Sequence, residues 1–132
     1  MNVLRKAMPD HVEALREPLH AAYKRIVRYQ FERTGEAEDA MRRAIGEAVP
    51  LLRPFRKLLP RHKLNYLRAL EEASSDSAVL SASDLLLLFD ETIFCLHIRL
   101  SPRERGEAPP LEPWGGALLA LLDQRRSYNG AI

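Results

Sequence analysis

The run Leu80–Leu100, LSASDLLLLFDETIFCLHIRL, constrains this chain more than any other stretch, because more than half of its residues are Leu, Ile, Phe, Cys or Ala. So apolar a segment has to be covered on most of its sides, and the rest of the chain is expected to supply the cover. Ser81 and Asp84 have the spacing of a capping box, in which a hydroxyl accepts an orphan N–H at a helix start. A helix is therefore predicted from about Ser83 to Phe94. From Thr92 onward, Phe94, Leu96, Ile98 and Leu100 alternate with Cys95, His97 and Arg99, which is the period of a half-buried strand. Residues 95–100 read equally as the end of the helix or as a short extended segment. No other run is strand-like, so the extended reading implies pairing with a second copy of the chain.

With 132 residues, 46% hydrophobic and 29% charged, the chain has the size and composition of one globular domain spanning 1–132. Unbroken apolar runs such as Leu85–Phe89 are far short of the roughly twenty residues needed to span a membrane. The opening MNVLRKAMPD carries no apolar signal region. A cytoplasmic protein without a membrane role is expected, and a single cysteine, Cys95, suits a reducing compartment.

Asp10 and Glu13 repeat the capping-box spacing, which predicts a first helix starting there, with Val12, Leu15, Leu19, Ala22 and Ile26 on one face. Pro18 lies inside that pattern and predicts a kink near Leu15 or a start delayed to Glu17. Thr34-Gly35 predicts its end. Glu36–Val49 reads as a second helix closed by Pro50. LLRPFRKLLP holds only a short helix, and Pro60 opens another over Arg61–Ala73 with Leu64, Leu67 and Leu70 inward. SSDS at 74–77 is a connector, RERGEAPPLEPWGG a loop, and a last short helix from Gly116 or Ala117 to Arg126 precedes a frayed SYNGAI. The fold class that results is all-α, a compact bundle of five to six helices, with 95–100 as its one candidate extended segment.

The halves differ in charge. Residues 1–72 hold fifteen Lys and Arg against ten Asp and Glu, whereas 73–132 hold five against eight. Within 51–70, Arg53, Arg56, Lys57, Arg61, Lys63 and Arg68 meet no acid in the sequence and are assigned to binding nucleic acid or an acidic partner; if Arg56, Lys57, Arg61 and Lys63 project together from the junction at Pro60, they would neutralise several phosphates. The bland reading is an amphipathic helix pair with a basic solvent face, answered by acids such as Glu71 and Glu72.

Catalytic signatures are missing from the sequence: no phosphate-cradling glycine loop, HExxH helix, CxxC pair or nucleophile elbow occurs. Cys95 and His97 share a face only in an extended segment, and two ligands without a third do not make a metal site. Glu13 with Glu17 and Asp90 with Glu91 read as solvated surface. Trp114, held between proline and glycine, is either a lid on its own core or an anchor for a partner. No catalysis, cofactor or metal is expected, and Cys95, His97, Arg99 and Trp114 are the residues assigned to a partner interface.

Leu80, Ser81, Leu88, His97, Ile98, Arg99 and Leu100 resemble the middle of the D subunit of the bacterial flagellar master transcriptional regulator. That family carries a Leu-Ser/Thr cap, an apolar helix and a Cys-His/Arg-Phe-Arg-Phe-like ending. The likeness covers about a sixth of the chain and implies an all-helical homodimer that joins a DNA-contacting subunit. Together these readings point to a non-catalytic bacterial regulatory or adaptor protein acting through protein contacts, with self-association and with transcription regulation through DNA contact at 51–70. The alternative is a secretion chaperone or a toxin-neutralising, immunity-type protein, which would form a one-to-one protein complex and ignore DNA.

Overall fold

Seven apolar side chains at helical spacing, Val12, Leu15, Leu19, Ala22, Tyr23, Ile26 and Tyr29, form the buried face of α1, which spans Asn2–Glu32 in the computed structural model. The structure describes residues 2–75, 80–101 and 113–130. The helix starts well before Asp10 and runs through both Pro9 and Pro18, so neither the expected cap nor the delayed start is found. An interior proline costs about 3 kcal/mol, whereas each large apolar side chain buried on the same helix contributes roughly 1.5–3 kcal/mol. The long buried face outweighs the prolines. Pro18 also deprives the carbonyl of Ala14 of its donor, and Ala14 is exposed, where water replaces the lost bond.

The turn after α1 is made by Arg33, not by Gly35. Arg33 adopts a left-handed φ of 54° and donates its N–H to the carbonyl of Tyr29 at 2.9 Å, while its guanidinium lies 5.2 Å from the Tyr29 ring. Thr34 then caps α2 (Gly35–Leu52), its hydroxyl accepting from Ala37 N at 3.1 Å. Glu36 and Glu38 in the first turn suit the helix dipole. Ala37, Met41, Ala44, Ile45, Ala48, Val49 and Leu52 are buried, and the small residues among them let α2 lie close along α1. Pro50 does not end α2 at Val49. The helix continues to Leu52 and tightens into a 3₁₀ segment, Arg53–Leu58, as Arg53 N–H donates to Pro50 O.

A second 3₁₀ turn, Arg61–Lys63, leads into α3 (Leu64–Ser75), on which Leu67 and Leu70 are buried. Leu64, expected inward, is 41% exposed. Ser74 and Ser75 of the expected connector belong to α3, and its residues 76–77 lie outside the described residues.

α4 spans Ala82–Leu100 and keeps helical geometry through 95–100, so the extended alternative is corrected. Its cap is the expected one: the Ser81 hydroxyl accepts from Asp84 N at 3.2 Å. Leu85, Phe89, Ile93, Leu96 and Leu100 are buried at steps of three and four. The apparent alternation after Thr92 is two helical stripes interleaved in sequence: Leu96 and Leu100 turn inward, while Phe94 and Ile98 turn to solvent. Thr92 is buried without cost to polarity because its hydroxyl donates to Leu88 O at 2.8 Å. Ser101 N–H closes the helix on the His97 and Ile98 carbonyls.

Of the expected loop, residues 103–112 lie outside the described residues, and Pro113 already opens α5 (Pro113–Gly130), where its missing N–H costs nothing. The helix therefore starts earlier than Gly116 and extends into SYNGAI, of which residues 131–132 lie outside the described residues. Leu118, Leu121 and Leu122 are buried. One hydrophobic cluster runs through α1 to α5, including Phe55, Leu58 and Leu59 of the 3₁₀ segment and its exit. Five α-helices and no strand are found among the described residues, and the protein is all-α.

Tyr23 sits where α1, α4 and α5 meet. Its ring meets Phe89 edge-on at 6.3 Å and 66°, and its hydroxyl donates to Leu122 O at 3.4 Å. Burial raises the phenol's pKa far above its ordinary value, with Arg125 pulling it down less than burial raises it. The stability from this neutral phenol is fully present below the unfolded value near 10 and is lost as the pH rises beyond it. Tyr23→Phe is expected to cost about 1 kcal/mol at neutral pH and to flatten the alkaline loss, read from urea midpoints between pH 8 and 11. In the same assay Leu70→Ala should cost about 2–5 kcal/mol, and Leu64→Ala about 1 kcal/mol or less.

Candidate functional site on the outer face of the fourth helix

The side of α4 opposite its buried stripe is not polar. Leu87, Phe94 and Ile98 are 69%, 57% and 56% exposed, and their steps of seven and four place them on one line along the helix. Cover on most sides of this segment is expected from its composition, yet of Leu85–Phe89 only Leu85 and Phe89 are buried, and Leu87 is the most exposed large apolar side chain described. A helix lodged between two neighbours can bury only the arc they cover.

Grooves flank this line. One, of about 420 Å³, separates α4 from α5, with Leu87, Ile93, Phe94 and Leu122 among its walls. The other, of about 370 Å³, separates α4 from α3 and is lined by Tyr66, Leu80, Asp84, Leu87, Leu88 and Glu91.

The α5 side is held by charge. Arg125 reaches both carboxylate oxygens of Asp90, at 2.9 and 3.2 Å. His97 Nε2 lies 3.2 Å from Asp123 Oδ1, and His97 Nδ1 lies 3.2 Å from Ser101 Oγ. Aspartate, histidine and serine thus stand in the order of a hydrolytic triad. The chemistry differs, since Ser101 Oγ donates to the His97 carbonyl at 2.7 Å and its N–H to the same turn. Both groups are committed to ending the helix, and the trio is a cap braced by α5. The sequence held no sign of Asp123, which stands 26 residues from His97.

On the α3 side, Lys63 donates to the Tyr66 hydroxyl at 2.8 Å and stands 3.8 Å from Glu91. The Tyr66 hydrogen bond is the main cause of a raised Lys63 pKa. Cys95 faces this group. Burial pushes its thiol up, Glu91 adds to the rise and Lys63 opposes it, so the sulfur is kept away from the thiolate form that nucleophilic chemistry requires.

The fold separates several residues grouped from sequence. Cys95 and His97 do not share a face, because two positions on a helix stand about 200° apart: Cys95 turns to Lys63 and Glu91, and His97 to Asp123. Arg99 is exposed. Trp114 is half-buried in the first turn of α5, its ring 6.0 Å from that of Phe55 and tilted by 31°, a cover for the core at the 3₁₀ segment.

The basic segment does not project as one group. Arg53 pairs with Glu71 through two contacts, Arg56 donates to the Arg53 carbonyl at 3.2 Å, and Lys63 is turned to α4. Arg53, Arg56 and Arg68 share a groove with Glu71, whereas Lys57 lines another with Arg53, Arg56 and His11. Lys57, Arg61 and Arg68 are exposed and form no ion pair among the described residues.

No sequence motif marks Arg42. It is buried in α2, donating to Glu38 at 2.9 Å and to the Leu80 carbonyl at 2.8 Å, so it anchors the residue before the cap of α4. Among the described residues no three His, Cys, Asp or Glu side chains converge to hold a metal, and no helix is long and apolar enough to cross a membrane. Comparison with protein-family models, curated proteins and solved structures finds no match to this chain.

Because its thiol pKa is raised, Cys95 should react with iodoacetamide at pH 8 more slowly than free cysteine. Its alkylation rate should reach half-maximum above the ordinary thiol value near 8.5, and unfolding in urea should restore the ordinary profile.

Proposed function

We propose that this protein is a binding protein without catalysis, an adaptor or regulator that engages another polypeptide through the outer face of α4. The observation that carries this reading is the line Leu87–Phe94–Ile98 on a helix whose opposite side is locked into the core. Rigid presentation favours binding, since little side-chain or backbone freedom remains to be lost at the interface. Burying one such side chain is worth roughly 1.5–3 kcal/mol, so three in a row supply the apolar centre of an interface, with Asp84, Glu91 and Arg99 as polar margin.

The test is retention of partner proteins on immobilised protein, wild type against Phe94→Asp and Leu87→Asp, with helix content checked by circular dichroism. Proteins held by the wild type and released by folded variants are the expected result. Equal retention by all three would remove α4 from the reading. A one-to-one complex indifferent to DNA would assign the protein to the chaperone or immunity class.

Regulation of transcription through DNA contact is the second reading, supported by the free cations Lys57, Arg61 and Arg68. Three neutralised phosphates correspond to a slope of about −3 in log K against log salt concentration. Fluorescence anisotropy with a duplex over a salt series measures it, and absence of binding at low salt would sink this second reading alone.

A further inference from the structure

Resting on the binding role of the α4 face, we infer that its occupant is a second copy of this chain, with the two α4 helices packed antiparallel about a two-fold axis passing between residues 92 and 93. Positions 87, 91, 94 and 98 follow one another at steps of four, three and four, the seam of a helix that pairs with another helix. An antiparallel copy placed about 92/93 sets Leu87 against Ile98 of the second copy, and Glu91 against its Phe94, twice over by symmetry. A two-fold contact must be self-complementary, and this one is in shape as well: Ile98 of the second copy enters the α3-side groove beside Leu87, Leu88 and Tyr66.

Charge decides direction and partner. Asp84 is exposed near the start of α4 and Arg99 is exposed near its end, and neither makes an ion pair among the described residues. By helical angle both lie on the α3 side of the seam. In an antiparallel pair, same-side positions of the two helices face each other, which brings Asp84 within arginine reach of Arg99 of the second copy at both ends. A parallel pair would set Glu91 against Glu91 at the seam and leave Asp84 and Arg99 of the two copies at opposite ends, with no opposite-charge contact between them. Glu91 is the one acid bordering the seam, on its α3 side, and Lys63 at 3.8 Å offsets it in each subunit. On the α5 side Asp90 is paired with Arg125, and Asp123 lies 3.2 Å from His97 Nε2. The face therefore complements itself end to end, with its apolar residues in between.

Sedimentation equilibrium of the full chain at tens of micromolar tests this, with twice the 15.1 kDa chain mass expected. Asp84→Arg and Arg99→Asp each set like charges at both ends and should run as monomers. Mixed in equal amounts they recreate two opposite-charge contacts and should form a heterodimer. As a second measurement, in a Cys95→Ser background, Leu87→Cys and Ile98→Cys chains mixed and oxidised should give a covalent dimer that neither gives alone. A wild-type mass of 15.1 kDa would overturn the inference and leave the α4 binding role to the retention experiment. A dimer that survives both charge reversals, or Leu87→Cys crosslinking to itself, would overturn the antiparallel placement.

Discussion

Burial of one side of α4 is the constraint on which the other elements depend. Leu85, Phe89, Ile93, Leu96 and Leu100 cannot be left in water, and α1, α2, α3 and α5 each supply residues to the cluster that covers them. Tyr23 fixes how they do so. Its ring meets Phe89 and its hydroxyl meets the backbone of α5, so a residue near the middle of α1 settles the relative placement of three helices. Arg42 acts similarly from α2, holding the Leu80 carbonyl and with it the entry to α4. Polar anchors inside an apolar cluster narrow the set of arrangements available, because a displaced helix would leave a buried donor unpaired.

The same packing creates the exposed face. A helix with apolar residues on nearly every side needs neighbours all round, and α4 meets α3 and α5 while one arc stays open. That arc retains Leu87, Phe94 and Ile98, and its margins are stiffened by Asp90–Arg125, His97–Asp123 and Lys63–Glu91. The excess hydrophobicity of Leu80–Leu100 over what one bundle buries is thus what leaves an apolar line on the surface. Several side chains that looked reactive serve this architecture: His97 and Ser101 end the helix, and Cys95 is a shielded thiol.

Much of the fold was legible because it rests on local rules. The cap at Ser81, the apolar faces of α1 and α2, and the all-α class follow from spacing and short-range hydrogen bonding. Expectations tied to proline and glycine fared worse. Pro50 lies within α2 instead of ending it, Pro18 does not delay the start of α1, and the left-handed turn fell on Arg33 although Gly35 stood two residues away. In each case burial along a long face, together with the Thr34 cap, outweighed a local preference of a few kcal/mol or less. The strand-like alternation at 95–100 misled for a related reason: two helical stripes of apolar residues, read in one dimension, produce a period of two.

The sequence by itself determined that the chain is helical and that Leu80–Leu100 lies at its centre, since caps and apolar periodicity depend on neighbours a few positions away. Only the tertiary structure decided which side of that helix stays open, that Cys95 and His97 diverge, that Lys63 serves α4 while Arg53 pairs with Glu71, and that Asp123 braces His97. Those outcomes depend on contacts between residues far apart in the chain, and spacing along a sequence says nothing about which distant side chain arrives to cover, pair or expose a given face.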